Sequence, residues 1–280
     1  MMQAVLKLGA GWSFLGQPAI TTEELIQQIY ALALPGWSFR GEAEWHETHL
    51  STLGRVLSAT APEPLVAECE LINRFMHLSH AFQSYSEHAI THEDVLGTLT
   101  LMQHHGAPTR LLDWTQSVWI AAYHSCATNA KDDGFIYGYS LNDCSQSGRA
   151  EERIRLLPAV KASRVNEYMK AIEAAGDGEA VFGLGVIQST GRMIAQQSTY
   201  TFGHPGRVDH IEVIGRSLGP TGGRVIVVPM RLKGRLMERL FQMNLTGAAL
   251  FPGVDGVGKT LSEIPRFGIP VPSFGTPIDI

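Results

Sequence analysis

Cysteine is scarce in this chain, with three in 280 residues. Cys69, Cys126 and Cys144 are odd in number and far apart, which excludes a disulfide framework, and no Cys-x-x-Cys pair suggests zinc or redox chemistry. They read as reduced thiols of a cytoplasmic protein. Long apolar runs are also missing, since no stretch approaches the roughly 18 residues that span a membrane. The N-terminal residues carry Lys7 as their one basic group and no apolar segment followed by a small-residue cleavage site, so no secretory leader is expected. The sequence reads as soluble and intracellular, with no membrane partner. A basic excess is absent too: 22 Lys+Arg against 27 Asp+Glu leave a net charge of −5. Whole-chain attraction to polyanions is thereby excluded, although a local basic groove is not. With 44% hydrophobic and 18% charged residues, neither intrinsic disorder nor a coiled coil fits.

What is present is a globular pattern rich in turns, with 29 glycines and 14 prolines. Thr21 with Glu24 three residues on forms a capping signal for a helix through Leu25, Ile26, Ile29 and Tyr30, which Pro35-Gly36 ends. Trp37 to Gly41 reads as a short strand with Ser38 and Arg40 on one face. Helices are expected around Leu65 to Phe82, from Thr91 through Met102 until Gly106 and Pro108 break it, from Ser117 to Ala127 and from Lys233 to Met243. Arg110 to Trp114 is a short apolar run, and strands are expected at Phe135 to Tyr139, Ala180 to Ile187, Ile211 to Ile214 and Arg224 to Pro229. Helices crowd the first half and strands the second, an order that argues for an α+β fold: a helical N-terminal half packed on a mixed or antiparallel sheet. With no repeat and no linker, residues 1–280 read as a single domain in which 1–36 form a helical extension. The charged stretch Arg149 to Lys170 reads as a solvated helix face.

Two motifs invite chemistry. Gly253-Val254-Asp255-Gly256-Val257-Gly258-Lys259-Thr260 spells the phosphate-loop pattern G-x-x-x-x-G-K-[ST]. That motif needs a strand before it, for which Ala248 to Phe251 is the candidate, and a helix after it. Only 20 residues follow Thr260, four of them proline, so the expectation is a glycine-rich turn. The run Gln103-His104-His105-Gly106-Ala107-Pro108-Thr109-Arg110-Leu111-Leu112-Asp113-Trp114-Thr115 is more distinctive. Adjacent histidines point to different sides of a helix end and lack a third ligand at helical spacing, so no metal is expected. In a structural reading Arg110 pairs with Asp113, Trp114 fills the core and Thr115 caps the next helix.

Phe39-Arg40-Gly41, Gln103-His104 and the run Pro108 to Thr115 together resemble the FRG domain, a bacterial and viral family named for its Phe/Tyr-Arg-Gly motif. Gln196-Gln197 with Phe202, and Phe251-Pro252 with Asp255-Gly256, are similar to its later motifs, so the resemblance spans about Trp37 to Lys259. The arrangement also resembles the opening of the NAD site in Arg-Ser-Glu ADP-ribosyltransferases, which implies an ADP-ribosyltransferase-like fold and NAD as a substrate. On that resemblance Arg40 holds the pyrophosphate, Thr115 adds a hydroxyl at a helix start, and Phe39 or Trp114 stacks on a ring, with Gly41, Gln103 and Arg110 also around the dinucleotide. Glu212, Gln197 and Asp255 remain open as the group that stabilises the ribose. This version requires Arg40, Thr115 and one of those three to share a cleft. His105 as general base oriented by Asp113 is an alternative constellation.

The implied activity is that of an NAD-consuming enzyme or ADP-ribosyltransferase, of the kind used as a toxin or phage-defence effector. Its partners would be a protein or nucleic-acid acceptor and an antitoxin. The alternative is a non-catalytic module in which Arg40, Arg110 and the Gln103 to Thr115 loop grip an anionic ligand or a partner. A third reading buries Arg40 in a structural pair with Asp113.

Overall fold

The computed structural model describes residues 8–57, 64–79, 95–140, 143–144, 178–184, 190–219 and 221–270. Among them, seven strands form one mixed sheet: β1 (Trp12–Phe14), β2 (Trp37–Glu42), β3 (Leu111–Thr115), β4 (Gly134–Ser140), β5 (Ala180–Leu184), β6 (Ser198–His204) and β7 (Gly223–Val228). The order across the sheet is β1-β7-β4-β2-β3-β6-β5. Only the β1–β7 pair is parallel; the other five pairs are antiparallel. The α+β class is therefore as expected, and it rests on antiparallel pairing rather than on repeated βαβ units.

Ten helices accompany the sheet among the described residues: α1 (Thr22–Leu32), α2 (Thr52–Val56), α3 (Pro64–Ser79), α4 (Val95–His104), α5 (Val118–Ala127), α6 (Gly191–Ala195), α7 (His210–Ser217), α8 (Met230–Gln242), α9 (Gly247–Leu250) and α10 (Val254–Phe267). The first turn of α1 is closed reciprocally. The Glu24 amide donates to Thr21 Oγ1 at 3.2 Å and the Thr21 amide to Glu24 Oε2 at 3.3 Å, two otherwise orphaned donors satisfied.

The central strands are apolar on both faces because both are covered. Ile136, Ile226 and Val228 pack with α1, α5 and α8. Their sequence neighbours Phe135, Tyr137, Val225 and Val227 pack on the other face with Ile211, Val213 and Ile214 of α7. A third cluster sets Leu99 and Met102 of α4 and Ile72 of α3 over Leu111, Phe182, Tyr200 and Phe202.

Several expectations are corrected. Helices and strands are not segregated by half: four strands precede residue 141 and five helices follow residue 190. Residues ahead of Trp37 contribute β1 as well as α1, and β1 joins the sheet beside β7. Ile211 to Ile214 are helical, because the Asp209 side chain caps α7 by accepting from the Glu212 amide at 3.0 Å. Ala248 to Phe251 supply no strand; residues 247–250 form α9. The motif after them is the body of α10, which extends to Phe267 with Pro265 inside it, so there is neither a phosphate-binding loop nor a loose turn. The start at Thr91 and the charged stretch Arg149 to Lys170 lie outside the described residues.

Candidate functional site

β2 pairs with β4 at six positions and β3 with β6 at five, but β2 meets β3 only at Phe39–Thr115. The sheet parts there into two half-sheets. A cleft with a cavity of about 210 Å³ occupies the gap, lined by residues of β2, β3, β6, α4, α5 and α6.

The Phe-Arg-Gly tripeptide of β2 meets three different demands of this gap. Phe39 turns into the core shared with α5. Arg40, on the opposite face of the strand, lines the cleft. Gly41 lies where α5 presses closest: a Cβ there would collide with the backbone carbonyl of Ala121. Arg40 is held from behind by an ion pair, Nε donating to Glu42 Oε1 at 2.8 Å, while Nη1 donates to the Asp113 carbonyl oxygen at 2.9 Å. Its Nη2 makes no hydrogen bond among the described residues, so the guanidinium is fixed at two corners and open at the third. The pair is to Glu42, and the contact with Asp113 is to its backbone, which replaces the Arg40–Asp113 ion pair considered from sequence. Glu42 is buried and also accepts a hydrogen bond from His49 Nε2 at 2.9 Å. Arg40 and His49 together outweigh its burial and hold its carboxyl at about 2.

β3 forms the other lip. Asp113 is exposed, and its Oδ2 accepts from Gln103 Nε2 at 2.8 Å. Gln103 is fixed in turn by Thr109, whose hydroxyl donates to its Oε1 at 2.6 Å and accepts from the Leu111 amide at 3.2 Å. The Gln103 to Asp113 run is thus a hydrogen-bonded relay that aims a carboxylate at the cleft. Thr115 ends the strand rather than starting a helix. Its Oγ1 donates to the Gln196 carbonyl at 2.8 Å and accepts from the Ser117 amide at 3.1 Å, and Ser117 caps α5. Thr115 lines the cleft, but its hydroxyl is already occupied in tying β3 to the turn after α6.

His104 and Gln196, both within the motifs read from sequence, also line the cleft, but part of the remaining wall comes from positions the sequence did not mark. His124 of α5 and Arg192 of α6 both line the cleft. Arg192 Nη1 reaches the His104 carbonyl at 3.4 Å, and its guanidinium lies 4.6 Å from the centroid of Phe251; Lys259 Nζ lies 4.7 Å from the same centroid. Burial first, then Lys259, Arg40 and Arg192, lower the His124 pKa to about 4, so the imidazole is neutral at pH 7. A histidine at a pocket wall shows no periodicity of its own, and α6 is only five residues long, so neither residue stood out.

Of the predicted site residues, Arg40, Asp113, Thr115, Phe39, Gly41, Gln103 and Trp114 line the cleft. Phe39 and Trp114 are only 2% and 3% exposed, so they bound it as packed walls; the Trp114 ring N–H donates to Thr201 Oγ1 at 3.0 Å. Arg110, His105, Gln197, Glu212 and Asp255 do not line it. Arg110 is buried against Glu68, Nε to Oε2 at 2.5 Å, with its guanidinium 5.0 Å from the Phe202 centroid. His105 is exposed and packs edge-on against His104 at 4.8 Å, so it forms no dyad with Asp113. Gln197 is an exposed turn residue with φ of 46°. Glu212 and Asp255 are exposed on α7 and in the first turn of α10. Among the described residues no three His, Cys, Asp or Glu side chains gather as a metal site, and no helix is long and apolar enough to cross a membrane.

The molecule is thus an α+β protein whose parted mixed sheet frames a cleft bearing two arginines and a carboxylate. Residues 35–134 match the FRG domain. No curated protein and no solved structure matches the chain.

Proposed function

We propose that the cleft between β2 and β3 binds NAD, and that the protein consumes it. In this reading Arg40 holds the pyrophosphate through its open guanidinium corner, and the Asp113 carboxylate faces the ribose as nicotinamide leaves. The observation that supports it is the meeting of Arg40 and Asp113 at one gap in the sheet, each aimed by its own relay, Glu42 behind the first and Gln103 behind the second. A bidentate guanidinium suits a pyrophosphate, and a fixed carboxylate suits the positive charge that develops on a ribose losing its base. Because Gln197, Glu212 and Asp255 lie elsewhere, the version of the mechanism that used one of them is set aside. The cavity of about 210 Å³ is smaller than typical pockets for whole drug-sized ligands, so it seats the pyrophosphate and a ribose, with the rest of the dinucleotide over the open mouth.

A second reading, an anion-binding module without turnover, draws on the placement of Gln197, Glu212 and Asp255 outside the cleft. Purified protein incubated with NAD separates the two. Release of nicotinamide, lost in Arg40→Gln and reduced about 100-fold or more in Asp113→Asn, is the expected result; expression that arrests growth, relieved by Arg40→Ala, would accompany a toxin role. Calorimetric binding of NAD with no loss of NAD supports the second reading. NAD left intact and unbound overturns both for this ligand.

A further inference from the structure

His124 stands half-buried on α5 and faces the cleft. Its ring packs edge-on against Tyr123 and Phe251, at centroid distances of 5.4 and 6.2 Å, and neither ring nitrogen makes a hydrogen bond among the described residues. Three cations act on it from three other elements: Arg40 from β2, Arg192 from α6 and Lys259 from α10. The other titratable groups on the cleft walls are Asp113 of β3, His104 of α4 and Tyr200 of β6. Burial keeps the Tyr200 hydroxyl neutral. Arg192, like Arg40, is only partly committed, with Nη1 on a carbonyl and the guanidinium over Phe251. This wall therefore carries surplus positive charge and unspent donors, turned toward space.

We propose that His124 and Arg192 form an oxyanion subsite that receives a phosphate-type group of the ligand, beside the position held by Arg40. The inference rests on the nucleotide reading for the identity of the natural ligand, but its chemistry concerns any oxyanion. An anion seated here offsets the cations that, together with burial, keep the imidazole neutral, and accepts a hydrogen bond from it. His124 then takes up a proton from solvent as the anion binds. Since the free ring titrates near 4 and an adjacent anion favours the charged form, affinity rises as pH falls through the range just above that value.

The test is side-chain NMR titration of His124 in the intact protein. Inorganic sulfate, a dianion throughout the range, is the probe, and chloride at equal ionic strength is the control. The expected result is a His124 midpoint raised by about 1–2 pH units by sulfate and unmoved by chloride, with the rise diminished in Arg192→Gln. The same rise with ADP-ribose joins the subsite to the nucleotide. A rise with sulfate but none with ADP-ribose or NAD keeps the subsite and overturns the nucleotide reading. A midpoint that sulfate and ADP-ribose leave where chloride leaves it overturns the subsite, even if NAD binds and is consumed. A rise of equal size in Arg192→Gln removes Arg192 from the subsite and overturns the inference as drawn.

Discussion

Glu42 illustrates what a single buried carboxylate does for a ligand-facing arginine. Its side chain is 3% exposed and sits between Arg40 and His49, so taking away its charge leaves a guanidinium and an imidazole without their shared acceptor. Glu42→Gln is expected to lower stability by about 1–3 kcal/mol at pH 7, read from urea midpoints at constant m-value. Asp113→Asn, at an exposed position, is expected to change stability by less than about 0.5 kcal/mol. A large loss in the second variant would mean that Asp113 serves the fold rather than the cleft. At this scale half of the site was legible from sequence. Phe39-Arg40-Gly41 and the Gln103 to Thr115 run mark themselves by unusual composition, and both lips of the cleft come from them. His124 and Arg192 carry no such mark, and their relevance comes only from the surfaces they share. Arg110 shows the reverse: a motif residue whose burial against Glu68 makes it part of the core.

Among the elements, α1, β2, α5 and β7 were readable because each carries its own signal: a capping box, an alternation, a Ser117 cap or a run of Val and Ile. α7 was misread because four apolar-rich residues fit a strand as well as a helix, and Asp209 decides the matter from outside the window. β1 went unseen because three residues become a strand only by pairing with β7, some two hundred positions away. α10 holds the most misleading letters in the chain, and its glycines now have separate explanations. A Cβ at Gly256 would collide with the Phe251 carbonyl oxygen, whereas one at Gly258 would meet nothing within 4 Å. Gly258→Ala is therefore expected to stabilise the protein by about 0.5–1 kcal/mol, as glycine in a helix interior is costly. Gly256→Ala is expected to destabilise it, as is Gly41→Ala, where β2 and α5 would have to separate. Thermal melting of the three variants checks the signs, and equal effects at Gly256 and Gly258 would contradict the packing of α9 against α10.

For the molecule as a whole, acid sensitivity follows from buried histidine. His210 is 1% exposed and shares a 2.8 Å hydrogen bond with Thr201. Burial first, then Arg40, His49 and Arg110, lower its pKa to about 3. In the unfolded chain the ring binds a proton near pH 6.5, so between 6.5 and 3 the unfolded state holds more protons than the folded one. Stability from this group is complete above 6.5 and falls with acid by up to about 1.4 kcal/mol per pH unit. Glu42, held at about 2 against an ordinary 4.5, adds a second loss that begins only below 4.5. Urea midpoints are expected to decline already between pH 7 and 5, and His210→Gln to flatten that decline. A midpoint constant down to pH 4.5 would place the imidazole in contact with water.

The cleft draws on two stretches of chain with different standing. Residues 35–134 match the family and supply Arg40 and the Asp113 lip, whereas Arg192, Phe251 and Lys259, like strands β5, β6 and β7, lie beyond that match. Cut out alone, the matched stretch would lose β4 beyond Gly134, the neighbour of β2, as well as β6, the neighbour of β3, and it is expected to show no cooperative melting by circular dichroism. The division also gives evolution a simple lever. Replacing the later stretch would leave the Arg40 lip intact while changing the facing wall, so relatives built on one signature could diverge in what they accept.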